Sequence, residues 1–90
     1  MNTTISAQGI SISPANAARF EERLARSLDR FSDRIVAIDA HLRDVNGPKG
    51  GPDKQVVLRI RLVRGPAVTA TSVRSNLHAA IATAARRARR

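Results

Sequence analysis

Four of the last five residues are arginines, Arg86, Arg87, Arg89 and Arg90, and no acidic residue follows Asp53. A guanidinium stays charged at every physiological pH and offers a planar fork of donors, so the chemistry such a cluster does well is bidentate hydrogen bonding to phosphate or carboxylate. The chain carries 16 Lys and Arg against 7 Asp and Glu, a formal net charge of +9. Residues 1 to 53 hold seven of each sign, so the excess belongs to residues 54 to 90, where Lys54, Arg59, Arg61, Arg64 and Arg74 precede the terminal cluster. A field of this kind draws polyanions by attraction and by release of their condensed counterions. The bland alternatives are a solvated basic surface that aids solubility and, for the terminal arginines, pairing with a helix dipole worth a few tenths to about 1 kcal/mol. Four arginines in five residues exceed what a helix end needs.

A second set, Arg19, Arg23, Arg26, Arg30 and Arg34, recurs at steps of three and four, the spacing of one helix face. Glu22, Asp29 and Asp33 lie beside it. Two readings stay open: a locally neutralised surface, or an RNA-facing stripe to which Arg23 and Arg30 contribute. The candidate RNA-binding set is therefore Lys54, Arg59, Arg61, Arg74, Arg86, Arg87, Arg89 and Arg90, with Arg23 and Arg30.

Other chemistry finds no constellation. The chain has no cysteine, which removes thiolate metal sites, disulfides and cysteine nucleophiles. His41 and His78 lack the neighbours that a metal or a proton relay requires and read as surface or boundary residues. Gly47-Pro-Lys-Gly50 matches a G-x-x-G backbone clamp in letters, but it sits between strands rather than helices and reads as a turn. No lysine follows glycine with a hydroxyl residue next, so a phosphate loop is excluded. The expectation is a non-enzymatic protein with no cofactor, metal or small-molecule substrate. Phe20 and Phe31, the only aromatics, fall on a core stripe. RNA contact is then expected through phosphates and shape rather than stacking. The polar N-terminus, with no sustained apolar run after it, predicts a soluble, cytoplasmic protein.

The elements that must position these arginines centre on residues 36 to 73. Val36, Ile38, Ala40 and Leu42 alternate with Ala37, Asp39, His41 and Arg43, and Val56, Leu58, Ile60 and Leu62 alternate with Val57, Arg59, Arg61 and Val63, the period of half-buried strands. The Gly- and Pro-rich run Asp44–Lys54 connects them as a hairpin. Centring it near Lys49 pairs Leu42 with Val56, Ala40 with Leu58 and Ile38 with Ile60, and sets Asp39 opposite Arg59 as a cross-strand ion pair. Gly65-Pro66 turns the chain into a further strand with Val68, Ala70 and Ser72 on the same face. Thr3 to Ala7 is a short strand, with Ile5 and Ala7 inward. Ser13-Pro14 starts a helix whose stripe runs Ala17, Phe20, Leu24, Leu28, Phe31 and on to Ile35. Ser75-Asn76 starts a last helix with Leu77, Ala80, Ile81, Ala84 and Ala88 inward, too poor in Trp, Phe or Leu for a membrane surface. Ninety residues make one domain, 1–90, of class α+β in the order β-α-β-β-β-α: a four-stranded mixed sheet with both helices on one face, the first two strands parallel and the rest antiparallel. Asp39, His41, Arg59, Arg61, Thr69 and Thr71 should line the open face.

From Ile5 to Arg90 this pattern resembles the ribosome hibernation-promoting factor, or ribosome-associated translation inhibitor, family in its short form. Asp44-x-Asn46-Gly47-Pro48-x-Gly50-Gly51-x-Asp53-Lys54 is similar to the strand connection of a short bacterial subgroup. In the last helix Ala80 and Ile81 match the family's opening, and its later basic positions fall on Arg87 and Arg90. Asn76 stands where Asp is usual and His78 where Tyr is usual. The resemblance implies binding to 16S rRNA in the small-subunit channel used by mRNA and tRNA, which silences idle ribosomes. The dimerisation domain of long members is not among these residues, so a monomer off the ribosome is expected. The charge would equally serve a nucleoid-like DNA binder or a partner of acidic proteins.

Overall fold

The computed structural model describes residues 2–45 and 53–89. The elements are β1 (Asn2–Gln8), α1 (Pro14–Ser27), a 3-10 helix (Asp29–Arg34), β2 (Ile35–Asp44), β3 (Lys54–Leu62), β4 (Val68–Arg74) and α2 (Leu77–Ala88). The sheet has the order β1-β2-β3-β4. β1 runs parallel to β2, and the β2–β3 and β3–β4 pairs are antiparallel.

The register is the one that alternation demands, with Leu42 opposite Val56, Ala40 opposite Leu58 and Ile38 opposite Ile60. A slip by one residue would turn this whole set to solvent, so burial of one face enforces it. Gly65, at φ 88°, makes the turn into β4. That value lies in the left-handed region that only glycine enters without strain.

Both helices begin where capping chemistry places them. Ser13 Oγ accepts from the amide of Asn16 at 3.1 Å, with Pro14 in the first turn, and Asn76 Oδ1 accepts from the amide of Ala79 at 2.8 Å. Each cap satisfies an amide that has no partner inside the helix. The core joins Phe20, Leu24 and Leu28 to Ile38, Leu42, Val56, Leu58 and Ile60 of the sheet and to Ala80, Ile81 and Ala84 of α2. Burying each large aliphatic side chain contributes about 1.5–3 kcal/mol. α1 packs beside β1, α2 covers β3 and β4, and the two helices touch. The alanines of α2 permit that close approach.

Three expectations on the packing fail, each for a local reason. Strict alternation puts Val36 inward, yet it is 49% exposed. The β2–β3 register shifts between Ile35 and Ala37, a bulge that brings Ile35 opposite Leu62 in the inner place. Ala7 is exposed at the far end of the edge strand, where the chain turns away at Gly9; only Ile5 and Thr3 are half-buried there. The first helix does not run on to Ile35. It ends at Ser27, and Phe31 reaches the core half-buried from the 3-10 helix. Asp29, Ser32 and Asp33 carry short polar side chains that compete with the backbone and disfavour a continued α-helix. The turn 47–50 lies outside the described residues.

Candidate nucleic-acid interface

The contact between α1 and α2 leaves a groove of about 610 Å³ on the helical side of the domain. Arg19, Glu22, Arg23, Arg26 and Ser27 of α1 line one wall, and His78, Ala82, Ala85 and Arg86, with Arg89 just past the helix end, line the other. Each set follows the three-and-four spacing of a single helix face. Ala85 is buried and Ala82 half-buried, so two methyl groups form an apolar floor. The His78 ring stands edge-on to Phe20, with centroids 5.0 Å apart.

The electrostatics of this groove are one-sided. Among the described residues its single carboxylate is Glu22, which accepts from Arg26 Nη2 at 2.5 Å. Among the described residues no acid pairs with Arg19, Arg23, Arg86 or Arg89. Both walls of the groove thus carry guanidiniums that no acid of the described residues pairs with, a field that favours a polyanion. Five arginines converging from two helices can hold phosphates in several bidentate geometries.

The sequence-predicted residues divide between this groove and other places. Arg23, Arg86 and Arg89 lie in it. Arg30 sits on the 3-10 helix with its guanidinium 5.1 Å from the centroid of the Phe31 ring. Arg59 and Arg61 are exposed on the open sheet face as expected, together with His41, Thr69 and Thr71, and Asp39 is half-buried among them. The expected Asp39–Arg59 ion pair does not form. The two residues are register partners, but Asp39 Oδ2 lies 3.7 Å from Arg61 Nε, one diagonal step along β3. Diagonal neighbours remain within reach of a long side chain. His41 Nδ1 and Ser6 Oγ share a hydrogen bond of 2.7 Å on the same face.

Lys54 sits between two carboxylates, 3.0 Å from Asp53 Oδ2 and 3.4 Å from Asp44 Oδ2. The hydrogen bond to Asp53, with a lesser one to Asp44, holds its ammonium above the ordinary lysine value against the desolvation that lowers it. Arg74 Nη1 donates to the carbonyl of Val73 at 2.8 Å, and Arg87 Nη1 donates to the carbonyl of Thr71 at 2.6 Å. Arg87 thus ties the end of α2 to the edge strand β4. Arg90 lies outside the described residues.

The sequence alone does not single out Arg19, Arg26 or His78 as contact residues. The period that joins Arg19 and Arg26 to Arg23 is visible in sequence, as is the spacing of His78, Ala82, Ala85 and Arg89. That the two stripes face each other is a fact of helix packing, and no local pattern carries it.

The model of the Sigma 54 modulation protein / S30EA ribosomal protein family matches residues 3–90. The chain is similar in structure to a ribosomal subunit interface protein from Coxiella burnetii, with a TM-score of 0.79 and 22% identity, covering 97% of this chain and 88% of that one. It is also similar to the Protein Y N-terminal domain of Thermus thermophilus, with a TM-score of 0.77 and 27% identity, covering 97% and 90%. No curated protein matches it in sequence.

Proposed function

The chain belongs to the Sigma 54 modulation protein / S30EA ribosomal protein family, and from that premise we propose that it is a non-enzymatic, ribosome-associated factor that holds translation idle. It binds 16S rRNA of the small subunit, at the channel used by mRNA and tRNA, and acts in the cytoplasm as a monomer when off the ribosome. The observation that supports this reading is the α1–α2 groove, where Arg19, Arg23, Arg86 and Arg89 have no acid partner among the described residues. The groove is the RNA-facing side. Phosphate contacts there position the domain. Arg59 and Arg61 of the sheet form a weaker, partly compensated patch.

Co-sedimentation tests it. The protein should travel with small subunits and whole ribosomes at moderate salt, and should inhibit translation in a purified system. Equal retention by duplex DNA, with no pelleting alongside small subunits, would replace the ribosomal reading with a general nucleic-acid-binding module.

A further inference from the structure

We propose that the α1–α2 groove also binds a free nucleotide carrying a chain of phosphates, so that such a nucleotide and RNA exclude one another; the exclusion rests on the function proposed above, the nucleotide site on geometry alone. Three observations converge on this class of ligand.

The first is charge. Among the described residues no acid pairs with four of the groove's guanidiniums, and they belong to both walls. A phosphate chain brings several negative charges into that single space, whereas an RNA backbone offers one per nucleotide. The second is size. About 610 Å³ is far more than one phosphate occupies, and lies within the range of roughly 300–1,000 Å³ typical of small-molecule sites. The third is the order of groups along α2. From His78, past the methyl groups of Ala82 and Ala85, to Arg86 and Arg89, the wall runs from a ring through apolar floor to charge. At 1.5 Å per residue His78 and Arg89 lie about 16 Å apart along the axis. Base, ribose and phosphates can lie in line over that distance, with the base against His78 and Ala82. The Phe20 ring holds His78 edge-on from behind.

Equilibrium dialysis of the full chain in magnesium-free buffer tests the site with three probes: a nucleoside triphosphate, the same nucleoside's monophosphate, and inorganic tripolyphosphate. The triphosphate should bind about ten-fold tighter than either of the others, because only it gains both the base contact and the chain of charges. Ala82→Leu, which fills the floor at a half-buried position, should erase the advantage over tripolyphosphate and leave tripolyphosphate binding unchanged. Arg86→Gln, at an exposed position at the charged end of the α2 wall, should weaken the triphosphate and tripolyphosphate together. Saturating triphosphate should displace ribosomes from the wild-type protein. Equal binding of triphosphate and tripolyphosphate makes the groove an anion site only and overturns the proposal, as does absence of binding or ribosome pelleting that saturating nucleotide leaves undisturbed. Ribosome pelleting without nucleotide is measured in parallel: its failure removes the ribosomal function and leaves the dialysis result standing.

Discussion

The two sides of the sheet carry arginines of the same chemistry in different arrangements. On the open face Arg59 and Arg61 of β3 lie beside Thr69 and Thr71 of β4, and Asp39 lies 3.7 Å from Arg61. On the helical face, arginines from α1 and α2 line one groove, and its only carboxylate among the described residues is taken by Arg26. Charge count alone does not decide where an anion is held: the field of several cations adds where they line one volume and is offset where an acid is interleaved.

Reversing charge in the groove should break this comparison most decisively. Arg23→Glu with Arg86→Glu removes one contact from each wall, and two charge-assisted contacts at about 1.4 kcal/mol each amount to about 100-fold in ribosome affinity. The slope of log affinity against log salt should flatten by roughly 0.7 to 0.9 per lost phosphate contact. The same double reversal at Arg59 and Arg61 should change affinity by less than about five-fold, since an acid already offsets part of that patch. Filter binding or pelleting at several salt concentrations measures both. Equal losses from the two variants would make the sheet a co-equal RNA face.

Next in size is a change that should leave binding largely alone. The terminal arginines look equivalent in sequence, but Arg86 and Arg89 line the groove while Arg87 holds the Thr71 carbonyl. Arg87→Gln should cost about 1 kcal/mol of stability, the loss of one charge-assisted bond at an exposed position. Arg86→Gln should cost little stability and flatten the salt slope instead. Thermal unfolding beside salt-dependent binding separates the two roles, and identical behaviour of the two variants would show that the tie to β4 carries nothing.

What was legible beforehand follows the same division between local and converging features. Strand register was legible because Leu42, Val56, Ala40, Leu58, Ile38 and Ile60 alternate with period two and only one pairing buries them all. Helix starts were legible because Ser13 and Asn76 act within three residues of themselves. Val36 was misplaced because a bulge changes parity without leaving a mark in the alternation. Lys54 reads as a free cation in sequence, whereas Asp53 beside it in the chain and Asp44, brought opposite by the β2–β3 pairing, both reach its ammonium. The arginine stripes of both helices were visible one at a time, and the groove between them was not, because it exists only once α1 and α2 pack side by side.

The smallest predicted effect runs in the opposite direction and therefore sharpens the comparison. Glu22 is the one acid of the described residues in the groove, and its pair with Arg26 spans one helical turn with both side chains more than half exposed, 67% and 78%. A surface pair of this kind contributes about 0.3–0.5 kcal/mol to the helix. Glu22→Gln keeps the length and helix propensity of the side chain, so stability should fall by no more than that amount. Removing the negative charge frees Arg26 and strengthens the field of the other four guanidiniums. RNA affinity should therefore rise by about two- to three-fold, an order of magnitude set by one exposed charge interaction. The gain should be larger at low salt and vanish as screening grows, because the Debye length is about 10 Å at 0.1 M and about 3 Å at 1 M. Asp39→Asn on the sheet face, which frees Arg61 in the same way, should produce no such gain. If Glu22→Gln leaves affinity unchanged at every salt concentration while Asp39→Asn raises it, the RNA lies against the sheet, and the groove's convergent charge serves some other anion.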